Sequence, residues 1–145
     1  MTDDAEARRL IEALGLCVHP EGGWYRETHR VAGPGRAVVT AIYFLLEAGQ
    51  RSHWHRVDAT EFWCWHAGSP LCLGQAADAA AAPAWTLLGP DIAAGQAPQA
   101  CIGAGHWQAA EAPYGWALVS CIVAPGFDFA GFTLAPPGWA PGGPG

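Results

Sequence analysis

The sequence lacks long apolar runs. No window approaches the roughly 18 uninterrupted apolar residues that a membrane-spanning helix needs. The chain begins Met-Thr-Asp-Asp-Ala-Glu-Ala-Arg-Arg, whereas a secretory signal begins with basic residues followed by an apolar segment. We therefore expect a cytoplasmic protein that makes no contact with a membrane.

Concentrated positive charge is also missing. Lysine is absent, and the seven basic residues are arginines scattered along the chain. Thirteen acidic residues outnumber them and give the 145 residues a formal net charge of -6. A protein that binds duplex nucleic acid normally shows a basic stripe that neutralises phosphates. Nucleic acid is therefore not an expected partner.

Signatures of nucleophilic and redox catalysis are absent too. The five cysteines form no Cys-x-x-Cys pair, and they lie in strand-like apolar runs, which is typical of buried thiols. No serine has a Gly-x-Ser-x-Gly context. A nucleophilic hydrolase is therefore disfavoured.

What the chain does have is many short apolar runs divided by 19 glycines and 12 prolines. One amphipathic segment, residues 3–15, repeats apolar residues at helical spacing and predicts a short N-terminal helix. The later runs have the length of strands and are separated by turn residues. These runs are 24–30, 38–46, 61–66, 71–75, 85–88, 99–102, 107–111, 116–124 and 129–134. They predict an all-β barrel or jelly roll with the helix outside it.

One domain accounts for most of the chain. Residues 1–135 carry the strand pattern and are predicted to form this domain. Residues 136–145 lack periodicity and are rich in proline and glycine, so we expect a flexible tail. The alanine-rich residues 76–84 are expected to form an exposed hairpin tip.

Residues with chemical capability concentrate between positions 49 and 68. In a strand, His53 and His55 point to the same face, and Glu61 follows on the adjoining strand. Two imidazoles and a carboxylate suit a divalent transition metal. Without a metal, His55 and Glu61 form a candidate catalytic acid/base pair, because an imidazole oriented by a carboxylate titrates near neutral pH. A purely structural pairing of the two is the alternative.

Aromatic and polar residues suggest a ligand pocket around this pair. Either Tyr25 and Glu27 or Arg26 and Thr28 face such a pocket, because the sequence leaves the phase of their strand open. Aromatic walls stack on sugar rings or planar bases. The predicted ligand-binding residues are Tyr25, Glu27, Trp63, Trp107 and Gln108, with Trp54 and Trp65 also flanking the mouth. Three other histidines, His19, His29 and His66, are interpreted as structural.

Several motifs resemble the cupin superfamily. Gly49, His53, His55, Glu61 and Gly68 resemble its first motif. Residues 19–28 (His-Pro-Glu-Gly-Gly-Trp-Tyr-Arg-Glu-Thr), 40–46 and 123–129 resemble its Cupin_5 branch, and the likeness spans roughly residues 10 to 135. The resemblance implies a small double-stranded β-helix of the jelly-roll type, commonly a homodimer, akin to the sugar-nucleotide epimerase fold. It does not imply a particular activity.

The sequence departs from the metal-binding form of that family. Five residues separate His55 from Glu61, more than the usual three or four, and Gln108 stands where a third metal histidine is ordinarily found. A neutral amide is a weak ligand for transition metals. A divalent transition metal on His53, His55 and Glu61 is therefore expected to be weakly bound or absent, and no cofactor is certain.

Two functions agree with these observations. The first is an enzyme of the isomerase, epimerase or lyase kind that acts on a sugar- or nucleotide-like ligand, with His55 moving a proton. The alternative is a ligand-binding or sensor protein that uses the same pocket without catalysis. The high apolar fraction and an N-terminal strand edge further predict a homodimer.

Overall fold

A computed structural model describes residues 3–143. One helix, α1 (Asp3–Leu14), precedes eleven strands. They are β1 (Cys17–Val18), β2 (Trp24–Val31), β3 (Val39–Leu46), β4 (Arg51–Val57), β5 (Thr60–Gly68), β6 (Leu71–Ala76), β7 (Ala84–Leu88), β8 (Gln99–Ile102), β9 (Trp107–Glu111), β10 (Ala117–Ala124) and β11 (Phe132–Leu134). Short 3-10 turns occupy Ile92–Ala94 and Phe129–Gly131. Within the described residues, no helix is long and apolar enough to span a bilayer.

The strands form two antiparallel sheets. The first has the order β1-β2-β3-β10-β5-β8, and the second has the order β11-β4-β9-β6-β7. This arrangement, with a single α-helix at the N-terminus of the described chain, confirms the predicted all-β jelly roll. The alanine-rich segment connects β6 to β7, which pair from Leu71 with Leu88 to Gln75 with Ala84.

The core lies between the sheets, where alternate residues of each strand point inward. Phe44 of β3, Trp63 of β5 and Leu73 of β6 are each at most 2% exposed and belong to one apolar cluster. This packing fills one part of the interior. The other part holds the cavity described below.

The helix covers the outer face of the first sheet. Ala7 and Ile11 pack with Leu45 and Trp116 in a separate apolar cluster, which Leu10 and Leu14 border. These four helix residues are spaced by three or four positions, as expected for the apolar face of the amphipathic segment predicted from sequence. Burial of that face against the sheet explains why so short a helix is stable.

The tail differs from the flexible segment that the composition suggests. Trp139 stacks on Trp107 with ring centroids 4.5 Å apart, and the Gly142 amide donates to the Ala79 carbonyl at 2.8 Å. Trp54 and Trp107 project from the outer face of the second sheet, and the tail covers them, leaving 4% and 7% of their surfaces exposed. We call residues 135–143 the strap. Residues 144 and 145 lie outside the described part.

A bulge in β4 controls which of its side chains point inward. The pairing of β4 with β9 shifts register between Ser52 and His55. Because of that extra residue, Ser52 and His55 both project into the barrel although they are three positions apart. Trp54 points to the opposite face, under the strap.

Candidate functional site

A cavity of about 480 Å³ opens between the sheets at one end of the barrel. Its lining includes four titratable side chains that are almost fully buried, His19, Glu21, His55 and Glu61, which we call the floor. Apolar residues form its walls, and charged residues from β2 and from the segment after β10 form its rim. The wall and rim include Cys17, Tyr25, Arg26, Glu27, Arg30, Thr40, Ile42, Val57, Val123, Phe127, Asp128 and Phe129.

The loop before β2 carries His19 and Glu21 into the barrel. Gly22 has φ +104°, and a Cβ atom there would lie 2.2 Å from the Arg51 carbonyl oxygen, so only glycine fits. The His53 amide donates to the Glu21 carbonyl at 2.7 Å and ties the loop to β4. Glu21 is therefore held in place by backbone contacts as well as by its side chain.

Hydrogen bonds fix the tautomer of each floor histidine. The Glu21 amide donates to His19 Nδ1 at 3.1 Å, so the His19 proton is on Nε2, which lies 3.2 Å from Glu21 Oε1. His55 Nδ1 lies 2.7 Å from the His53 carbonyl oxygen, which can only accept, so Nδ1 carries a proton.

One proton is shared between Glu21 and His55. His55 Nε2 lies 3.1 Å from Glu21 Oε2, and contact between these two atoms requires a proton between them. The Ser52 hydroxyl also donates to Glu21 Oε2. Glu21 therefore links His19, Ser52 and His55 in one buried network.

Burial sets the protonation of this network. It raises the pKa of Glu21 from 4.5 to about 8, an effect that the hydrogen bond from Ser52 opposes. It lowers the pKa of His55, and it lowers that of His19 from 6.5 to about 4, with help from nearby His55. At neutral pH the shared proton therefore lies on Glu21, and both imidazoles are neutral.

Glu61 is the second carboxyl group of the floor. Burial raises its pKa from 4.5 to about 7, while His55 lowers it and Glu21 raises it. Gln108 Nε2 donates to Glu61 Oε1 at 3.0 Å, and Gln108 Oε1 accepts from the Trp63 indole at 2.8 Å. Because the indole can only donate, Trp63 fixes the Gln108 amide with its nitrogen toward Glu61.

The structure brings the predicted acid/base residues together. His55 and Glu61 both lie on the floor, 2% and 6% exposed, and interact electrostatically. Tyr25 and Glu27 line the cavity, and so does Arg26 between them, whereas Thr28 does not. Glu27 is held by Arg30, whose Nε and Nη2 atoms donate to the two carboxylate oxygens at 2.8 and 2.9 Å.

Other predicted site residues lie elsewhere. His53 does not share the face of His55, because the β4 bulge turns it outward to the Pro136 carbonyl, 2.9 Å away. Trp107 projects from the outer face of the second sheet, and Trp54 does the same, so neither flanks the mouth. Trp63 and Gln108 are buried behind Glu61 and do not line the cavity.

The floor does not fit the metal centre considered from sequence. His53 is turned away, His55 Nε2 is directed at Glu21, and Glu61 Oε1 accepts from Gln108. Among residues 3–143, no group of three or more His, Cys, Asp or Glu side chains is arranged to hold a metal ion. A metal would have to displace the hydrogen bonds that hold each donor.

Sequence reasoning missed His19, Glu21 and Ser52 as site residues. His19 is interpreted from sequence as structural because it stands in a Pro/Gly turn. The available signal was a histidine and a glutamate directly before two consecutive glycines, because paired glycines allow a loop to approach other backbone closely. The inward position of Ser52 depends on the β4 bulge, and no residue type in β4 predicts that bulge from sequence.

Comparison with known proteins agrees with this architecture. The model of the family Cupin_5, described as Cupin superfamily (DUF985), matches residues 8–135. The chain belongs to the Cupin_5 family. A crystal structure of a protein from Shewanella oneidensis is 38% identical to this Cupin_5 chain, covers 89% of it and 84% of its own length, and has a TM-score of 0.83.

Two further structures are similar, one of a hypothetical protein and one of an enzyme. A hypothetical protein from Leishmania major is 32% identical, with coverage of 89% of this chain and 86% of that chain and a TM-score of 0.80. A variant of oxalate decarboxylase from Bacillus subtilis is 13% identical over 81% of this chain and 29% of that chain, with a TM-score of 0.63. That likeness concerns the fold alone. Comparison with curated proteins finds no match.

Proposed function

We propose that this Cupin_5 protein is an isomerase, epimerase or lyase that moves a proton on a small sugar- or nucleotide-like ligand held in the cavity. The proton shared by Glu21 and His55, on the floor of a cavity beside a second buried carboxyl group, carries this proposal. Cavities of about 300–1,000 Å³ are typical of small-molecule sites.

The chemistry follows from the two carboxyl groups. A general acid or base works best when its pKa lies near the pH at which it operates. The pKa of Glu61 is about 7, so this group is available as a base in part of the population at neutral pH. The Glu21–His55 pair holds a proton that it can give to the ligand. Glu61 can therefore act as the base that takes a proton from the ligand, and the Glu21–His55 pair can act as the acid that returns one.

In the proposed reaction each residue of the site has a role that agrees with its contacts. Glu61 removes the proton from the ligand, while Gln108 and Trp63 keep the Glu61 carboxyl in place. The Glu21–His55 pair delivers its shared proton, which lies on Glu21 at neutral pH, or accepts a proton in return. His19 and Ser52 position Glu21 by hydrogen bonds to its two oxygens. No step in this scheme uses a metal.

Proton exchange with solvent tests the proposal. The full-length protein is incubated in deuterium oxide with sugars, nucleotides and sugar nucleotides, and the loss of ligand C–H signals is followed by proton NMR. We expect exchange in at least one ligand. In Glu61→Gln and His55→Ala the rate should fall by about 10²-fold or more, the usual contribution of a general acid or base.

Glu111→Gln is the matched control. Glu111 of β9 forms an ion pair with Arg51 of β4 outside the cavity, and the same change of charge there should leave exchange unchanged. Equal exchange rates in wild type and both floor variants would contradict the proposal. Binding that depends on the floor, without exchange of any ligand, would instead support a non-catalytic binding or sensor role.

A further inference from the structure

We infer that the floor selects ligands whose inner end donates hydrogen bonds and carries no negative charge, so that an amine or a neutral hydroxyl binds there and a carboxylate or phosphate does not. This inference deepens the proposed function and rests on the same ligand site. It follows from which hydrogen atoms of the floor are already engaged.

The network around Glu21 uses its own donors. His19 Nε2–H is directed at Glu21 Oε1, and the Ser52 hydroxyl donates to Glu21 Oε2. His55 Nδ1–H donates to the backbone carbonyl of His53, and the remaining proton lies between His55 and Glu21. The N–H and O–H groups of this network are therefore already engaged. A ligand that reaches the network meets atoms that can accept a hydrogen bond from it.

Glu61 faces the cavity as an acceptor when it is ionised, the form that a cationic amine favours. Gln108 donates to its Oε1 atom, and the Cys121 thiol forms a further hydrogen bond with its carboxyl group. The lining also contains the hydroxyl groups of Thr40 and Tyr25, each of which can donate or accept a hydrogen bond. The Thr40 oxygen already accepts from the Phe127 amide at 2.8 Å.

The floor carries no cation that would neutralise an anion. The chain has no lysine. The arginines that line the cavity, Arg26 and Arg30, belong to the exposed part of β2, and Arg30 is bound to Glu27 and to the Phe127 carbonyl. Both floor histidines are engaged as described. A buried anion without a counterion or several donors is strongly unfavourable.

Two series of matched probes test this selectivity. The first is glucosamine, glucose and glucuronate, and the second is benzylamine, benzyl alcohol and benzoate. Each is titrated into the full-length protein at pH 7, and binding is followed by protein-observed NMR. In at least one series we expect the amine or the alcohol to bind at least tenfold more tightly than the acid, with shifts at His55 and Glu61.

A variant links the selectivity to the floor. In Glu61→Gln the preference for the amine over the acid should shrink at least threefold, because the amide removes one anionic acceptor and adds donors. Glu111→Gln should keep the wild-type preference. Thermal unfolding of each variant verifies that it is folded.

Three results would overturn the inference: in every series that binds, an acid as tight as its amine and its alcohol, a preference that Glu61→Gln does not change, or no binding by any of the six probes. The exchange assay decides the proposed function separately. Proton exchange in an acid that binds well at the floor would support the proposed function and contradict the inference. Selectivity for amines without proton exchange in any ligand would support the inference and contradict the proposed catalytic function.

Discussion

Single residues of the floor make the stability of this protein depend on pH. Glu21 and Glu61 have pKa values of about 8 and about 7 in the fold, against 4.5 for an ordinary glutamate. Between the ordinary pKa and the raised pKa of each glutamate, the folded state binds more protons than the unfolded state, so the free energy of unfolding falls as pH rises. The lowered pKa values of His19 and His55 act in the opposite direction, but only below about 6.5.

Above pH 6.5 the carboxyl groups therefore act alone. We expect the free energy of unfolding to decrease between pH 6.5 and 8, by up to about 1.4 kcal/mol per pH unit for each group. Urea denaturation at several pH values measures it. Glu21→Gln should flatten the profile and Glu111→Gln should not. A wild-type profile that is flat over this range would contradict the expectation.

At this scale the sequence predicted about half of the candidate site. His55 and Glu61 share a floor because their spacing places them on adjoining parts of the barrel. Glu21 could not be assigned in the same way, because its contact with His55 joins residues 34 positions apart through a loop whose path depends on Gly22. His53 was misplaced because strict alternation does not hold across a bulge.

Elements were predicted better than single residues. The predicted runs 99–102 and 107–111 coincide with β8 and β9, since turn residues bound both. The run 129–134 instead divides into a 3-10 turn and β11. Asp128 explains the difference, because its side chain accepts from the Ala130 amide and stabilises the turn.

The strap makes contacts that composition alone did not predict, and these contacts should contribute measurably to stability. Trp139 is partly buried on Trp107, so Trp139→Ala should reduce the free energy of unfolding by about 1–3 kcal/mol. Urea denaturation measures this loss. Ligand affinity should stay unchanged, because the strap lies on the outer face of the second sheet. A stability equal to wild type would show that the strap only rests on the sheet.

At the scale of the whole molecule, we propose that the protein is a homodimer. β1 pairs with β2 only at Trp24 and Tyr25, so β2 has β3 as its one described strand neighbour from Arg26 to Val31. Exposed strand edges of this kind are normally covered or paired. Sedimentation at micromolar concentration should give twice the chain mass of 15.2 kDa. A monomer at that concentration would contradict the proposal.

The position of Cys17 has a practical consequence for any ligand measurement. Its thiol is exposed in the cavity lining and contacts the Tyr25 carbonyl at 3.5 Å, whereas the exposed Cys101 is not part of that lining. Exchange with a small disulfide in solution, such as oxidised glutathione, would join one half of that molecule to Cys17 and release the other half as a thiol, and the adduct would stand in the entrance. Protein exposed to such a disulfide would then lose affinity for its ligand while remaining folded. The Cys17→Ser variant would keep its affinity under the same conditions.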